Sequence, residues 1–211
     1  MTTNSLPSKF ESVGEYEKFM YMGGLPKNRM YISPDQISGA PDYVRDFYRT
    51  LISGSEWRDS GNKFFVGGEV MRSIVYNSVC MLRSSKQSNA HVLTRTALMG
   101  IADLQHDKKI RSASGFCNKS NLTDIIKSEG LLGIVDYVDS PVSPQMDSEH
   151  EYTYADRAII DDFLEYRSGM GFPTLIHCAY PVHSLEKVLS QMNLELLRNY
   201  YSHYNMNGKT L

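Results

Sequence analysis

Cysteine is scarce in this chain: Cys80, Cys117 and Cys178 are odd in number and widely spaced. No C-x-x-C pair occurs, which excludes a zinc ribbon and a thioredoxin-type motif. The odd count fits a reducing compartment better than a disulfide scaffold. Long hydrophobic runs are missing as well. Nothing approaches the roughly 18 apolar residues of a membrane helix, and the N-terminus from Met1 to Lys9 lacks the apolar core of a signal peptide. A soluble, cytoplasmic protein is the expectation. Charge of one sign is absent too: 22 Lys and Arg face 24 Asp and Glu, for a net charge of −2. That balance argues against a dedicated nucleic-acid site, which carries a basic field.

Sequence motifs that fix a chemistry are also lacking. There is no G-x-G-x-x-G and no G-K-[ST] for phosphates, and no G-x-S-x-G hydrolase elbow. The six histidines, His91, His106, His150, His177, His183 and His203, form no i, i+4 pair and no H-E-x-x-H. His150 between Glu149 and Glu151 offers carboxylates for a hard cation, but without the 12-residue loop pattern of an EF-hand. No cofactor and no metal are therefore expected.

What is present is an ordinary globular composition, 41% hydrophobic and 22% charged, in 211 residues, with 14 Tyr and 11 Met as the unusual counts. Both residue types are frequent at interfaces, Tyr for its large amphipathic ring and Met for its adaptability. Residues 1–40 are punctuated by Pro and Gly, yet carry Phe10, Tyr16, Phe19, Met20, Tyr21, Leu25, Met30, Tyr31 and Ile32. That is too apolar for a free linker. It predicts an extended N-terminal arm with a short helix near 15–21, followed by a single globular domain over 41–211.

Within that domain, Pro41 and Gly54 bracket a helix over 42–53. Ser60-Gly61-Asn62 between Trp57 and Phe64-Phe65-Val66 suggests a small hairpin over 57–66. Further helices are expected at about 69–82, after Asn89 (Leu93, Ala97, Ile101 and Leu104 on one face), at 122–129, at 154–167, and from Ser184 to about Tyr204. Residues 131–138 and 172–180 read as strands. The expected class is α+β, mainly helical with five to six helices and a small sheet.

The last predicted helix carries two apolar stripes. Leu185, Val188, Leu189, Met192 and Leu196 form one; Leu194, Leu197, Tyr200, Tyr201 and Tyr204 form another, rotated by roughly a third of a turn. A second stripe implies a second body to face. An interface built from Leu194, Leu197, Tyr200, Tyr201, Tyr204, Phe19 and Tyr21 follows, with other protein subunits as partners in a homo- or hetero-oligomer. Opposed charge blocks, acidic over 147–165 and basic over 108–119, could orient such an association or lie as solvated faces.

Candidate chemistry is thinner. Cys117 near a helix start and beside Lys119 could be a thiolate, with His177 or His183 as base and Asp136 or Asp139 orienting the imidazole. His177 and Cys178 are strand neighbours and must point to opposite faces, so they cannot act as a pair. Gly67-Gly68-Glu69 ahead of a helix is a place where anions bind, or a tight turn only. The balance favours a non-enzymatic structural or assembly subunit, for instance a virion or phage-type component. A Cys/His enzyme and a regulatory, protein-binding module are the alternatives.

Overall fold

The structure, a computed structural model, describes residues 9–32, 37–53, 61–85, 89–94, 124–138 and 163–210. Expectations for Cys117, Asp139, the acidic residues 147–162 and the basic stretch 105–119 lie outside them.

Six strands form one sheet: β1 (Asn62–Val66), β2 (His91–Thr94), β3 (Leu132–Val135), β4 (Thr174–Cys178), β5 (Tyr201–Asn205) and β6 (Gly208–Thr210). Their spatial order is β2-β3-β4-β1-β5-β6. All neighbours are parallel except β5 and β6, which pair antiparallel at one edge. The helices are α1 (Val13–Met22), α2 (Asp42–Ser53), α3 (Glu69–Ser84) and α4 (Gln191–Tyr200), with 3-10 turns at Lys27–Arg29 and Val182–Leu185. Residues 124–127 and 163–169 are also helical.

A parallel sheet needs helices on both faces, and the core divides accordingly. On one side Tyr16, Met20, Val44, Phe47, Ile74, Val75 and Val79 pack on Phe65, Val92, Val135 and Leu175. On the other, Phe163, Leu164, Leu185, Leu194 and Leu197 pack on Phe64, Leu93, Ile134, Ile176 and Cys178. The fold is thus α/β with a single mostly parallel sheet, not a helical protein with a small one. The reason lies in short strands. Leu132–Val135 and Thr174–Cys178 are buried at every position, so they show the continuous apolar run of a doubly covered strand rather than alternation.

Three further expectations are corrected. Residues 62–66 are no hairpin arm but the strand between β4 and β5, with Lys63 opposite Leu175 and Ser202. Both partners arrive from more than a hundred positions away, beyond the reach of any local turn signal. The segment after Asn89 is strand β2, not the start of a helix; the remaining residues expected in that helix are outside the described set. The long final helix is three elements. Ser190 accepts from the Asn193 backbone N–H and caps α4, which ends where Tyr201 turns extended and pairs with Asn62. The two offset stripes belonged to different elements: Leu185 sits in the 3-10 turn, Leu194 and Leu197 in α4, Tyr201 and Tyr204 in β5.

Close packing sets two details. A Cβ on Gly133 would stand 2.6 Å from Val75 Cγ1, so the missing side chain lets α3 lie directly on β3. Two buried arginines serve carbonyls that regular pairing leaves unmet. Arg167 donates to the carbonyls of Ile126, Ser128, Gly130 and Pro173 and to Thr174 Oγ1, at 2.8–3.0 Å. Arg83 donates to the carbonyls of Phe19 and Ala90 and stacks on the Phe19 ring.

Each buried group generates a prediction. Arg167→Met leaves several interior carbonyls without a donor and should lower unfolding stability by about 2–4 kcal/mol, measured by urea titration. His91, half-buried beside Arg83, is held down to about 4, first by burial and then by the neighbouring guanidinium. Its folded value is below its unfolded one, so its contribution is present above about pH 6.5 and lost as pH falls towards 4. Going from pH 7 to pH 5 should cost about 2 kcal/mol through this residue, and His91→Gln should flatten that slope.

Candidate functional site

In open α/β sheets the functional crevice lies outside the carboxyl ends of the strands, where neighbouring connections diverge. Here β1 lies at that place, since the chain leaves β1 towards β2 on one side and leaves β4 towards β5 on the other. Its end leads through Gly67 and Gly68 into α3. Gly67 has φ 137, a backbone state that a side chain would strain.

His177 on β4 reaches this turn. Its Nε2–H donates to the Gly67 carbonyl at 2.8 Å, and its Nδ1 accepts the Asp136 backbone N–H at 3.3 Å. Those two bonds specify the neutral ring. Burial pushes the imidazole below its ordinary value, while the Gly67 bond and the Asp136 carboxylate act in the opposite sense. Asp136, just past β3, has φ 55. Its carboxylate lies 3.4 Å from Nδ1 of His177 and turns its other oxygen to Arg72 at 2.7 Å.

Arg72 on α3 also faces Glu69, at 3.6 Å. Glu69 in turn pairs with Arg29, from the 3-10 turn that follows α1. Arg29 donates to Ser73 Oγ at 3.0 Å, and the Ser73 hydroxyl lies 3.4 Å from Glu69. Both guanidinium groups stand over the Tyr76 ring, 5.4 and 5.8 Å from its centre. The cluster therefore holds two cations, two carboxylates and a neutral imidazole, and its charges cancel.

A strand, a glycine turn and a helix are the parts of a phosphate cradle, which uses free backbone amides and a Lys-Ser/Thr pair at the helix start. The residues here do not fit that role. Glu69-Val70-Met71-Arg72 follows the glycines, with neither lysine nor hydroxyl in the first turn. The Gly67 N–H is already bonded to the Cys178 carbonyl at 3.0 Å. Asp136, the acid just past β3, is engaged by Arg72.

Of the residues singled out from sequence, the structure brings together His177 and Asp136. His183 is exposed in the turn 182–185. Cys178 points away from His177 into the opposite core, its Sγ 3.9 Å from the Val138 carbonyl. Leu194, Leu197 and Tyr201 are buried within the chain, Tyr204 is partly buried against Tyr43, and Phe19 lies under Arg83. Tyr21 and Tyr200 are exposed. Sequence reasoning noticed Gly67-Gly68-Glu69 as an anion place but missed Arg29 and Arg72. The i, i+3 spacing of Glu69 and Arg72 was a usable signal. Nothing in sequence ties Arg29 to that turn.

No protein-family model matches the sequence, and no curated protein matches it. Solved structures do. The crystal structure of DnaI superposes with TM-score 0.55 at 14% identity, over 88% of this chain and 95% of that one. The DnaC helicase loader matches with TM-score 0.52 at 12% identity, over 79% and 92%. A putative primosome component from Streptococcus pyogenes serotype M3 matches with TM-score 0.55 at 11% identity, over 92% and 97%. These likenesses establish the fold. They also run against the expectation of a virion-type structural subunit, since two of the matching proteins are named for helicase loading and the primosome. Among the described residues no helix is long and apolar enough to cross a membrane.

The strand-end geometry separates backbone strain from charge. Asn tolerates a left-handed backbone better than Ala, so Asp136→Ala should be less stable than Asp136→Asn by about 1 kcal/mol. Parallel thermal melts of the two variants would read the difference, and equal melting would show that φ at 136 relaxes freely.

Proposed function

We propose that this chain is a helicase-loading factor of DNA replication, a protein that binds a replicative helicase and helps place it on DNA. The observation that supports this most is mutual coverage. The likeness takes in 79–92% of this chain and 92–97% of each partner, so a whole unit and not a shared fragment is matched. A cytoplasmic site of action follows from the same reading.

The contact with a helicase would use protein surface, and two residues of the expected interface are exposed there. Tyr21 is 52% and Tyr200 60% exposed, and exposed tyrosines are common anchors at interfaces. A Cys/His nucleophilic site gains no support from the described geometry, because His177 bonds to Gly67 and Asp136 and His183 stands apart on the surface.

The test is direct. Purified chain is mixed with the replicative helicase of the system that encodes it, and the mass of the complex is read by light scattering. A complex heavier than either component, and faster loading of that helicase onto single-stranded DNA circles, are expected. Tyr21→Ser and Tyr200→Ser should each weaken the complex by about tenfold if they anchor it. Neither complex nor faster loading at micromolar concentrations would reject the assignment.

A further inference from the structure

We infer that Glu69 is the resident anion of the turn between β1 and α3, so that this chain holds the phosphate position of its fold shut and works without bound nucleotide. Glu69 opens α3, a helix of 16 residues whose N-terminal N–H groups favour negative charge. Its two carboxylate oxygens are divided between cations: one meets Arg29, the other faces Arg72. A carboxylate shared by two guanidinium groups takes the charge-assisted contacts that those cations would otherwise offer a phosphoryl group.

The surrounding groups are closed in the same way. The Gly67 N–H is bonded to Cys178, and the Gly67 carbonyl to His177. Asp136 is held by Arg72 at 2.7 Å, which occupies an acid that would otherwise be available to a divalent cation. Arg29 brings a second consequence, because it belongs to the segment carrying α1. Through Glu69 and Ser73 that segment is fastened to the start of α3. Tyr16, whose hydroxyl donates to the Met30 carbonyl at 2.6 Å, fixes the loop that presents Arg29.

The inference goes beyond the helicase reading and stands apart from it, because it is tested on the full chain alone. Thermal unfolding is followed for wild type, Glu69→Ala and the isosteric Glu69→Gln, with MgATP, with sodium pyrophosphate, and with chloride salts at matched ionic strength. Wild type should melt at the same temperature under all three conditions. Both variants should melt lower than wild type, and pyrophosphate should raise them by roughly 2–4 °C, since a bound anion stabilises the folded state. Adding Arg72→Met to Glu69→Ala should abolish that rise. A saturable shift of wild type with MgATP or pyrophosphate would overturn the inference, as would variants that respond to the anion no more than wild type does. Loss of helicase binding would leave these melts unaffected, so the two proposals fail separately.

Discussion

A parallel sheet whose strands are buried on both faces has no water to satisfy its backbone or its side chains, and that single constraint organises the molecule. Phe64 and Phe65 on β1 show it directly: neighbours in sequence, they enter opposite cores. Among the described residues, α1, α2 and α3 cover the first face and α4 with the helical residues 124–127 and 163–169 the second. Where the backbone leaves the ladder it must find other partners. At the amino ends of β3 and β4 those partners are the donors of Arg167, and at β2 those of Arg83. A guanidinium suits this task because its five N–H groups fan out in one plane and serve several carbonyls at once.

At the opposite ends of the strands the neutral His177 ring meets the same need, and ions gather beside it. His177, Asp136, Arg72, Glu69 and Arg29 form a chain of contacts from β4 across β3 to α3 and on to the segment after α1. Individual exposed ion pairs contribute little. Their weight here comes from position, since they gather at the turn where folds of this kind place a ligand. A neutral imidazole at the β4 end keeps the balance, because its protonation would add an uncompensated charge to a set that already cancels.

The likeness to the solved structures rests on shape alone, at a sequence identity of 11–14%. Fold and site then carry separate information. If the proposed reading holds, a self-occupied anion position would leave association with the partner ungated by a small ligand.

By itself the sequence determined the local elements. The bracketed helix at 42–53, the helix after Gly67-Gly68, the strand-forming runs at 131–138 and 172–180 and the opposed orientation of His177 and Cys178 all follow from periodicity and turn residues within a few positions. Tertiary structure alone decided how these pieces combine. The parallel partners of Asn62–Val66 come from 174–178 and 201–205, His91–Thr94 becomes a strand through pairing with Leu132–Val135, and Arg29 meets Glu69 across 40 residues. Parallel pairing joins segments through long crossovers, so its register is written in no local pattern. A four-residue strand buried on both faces looks in sequence like any short apolar run until its neighbours arrive.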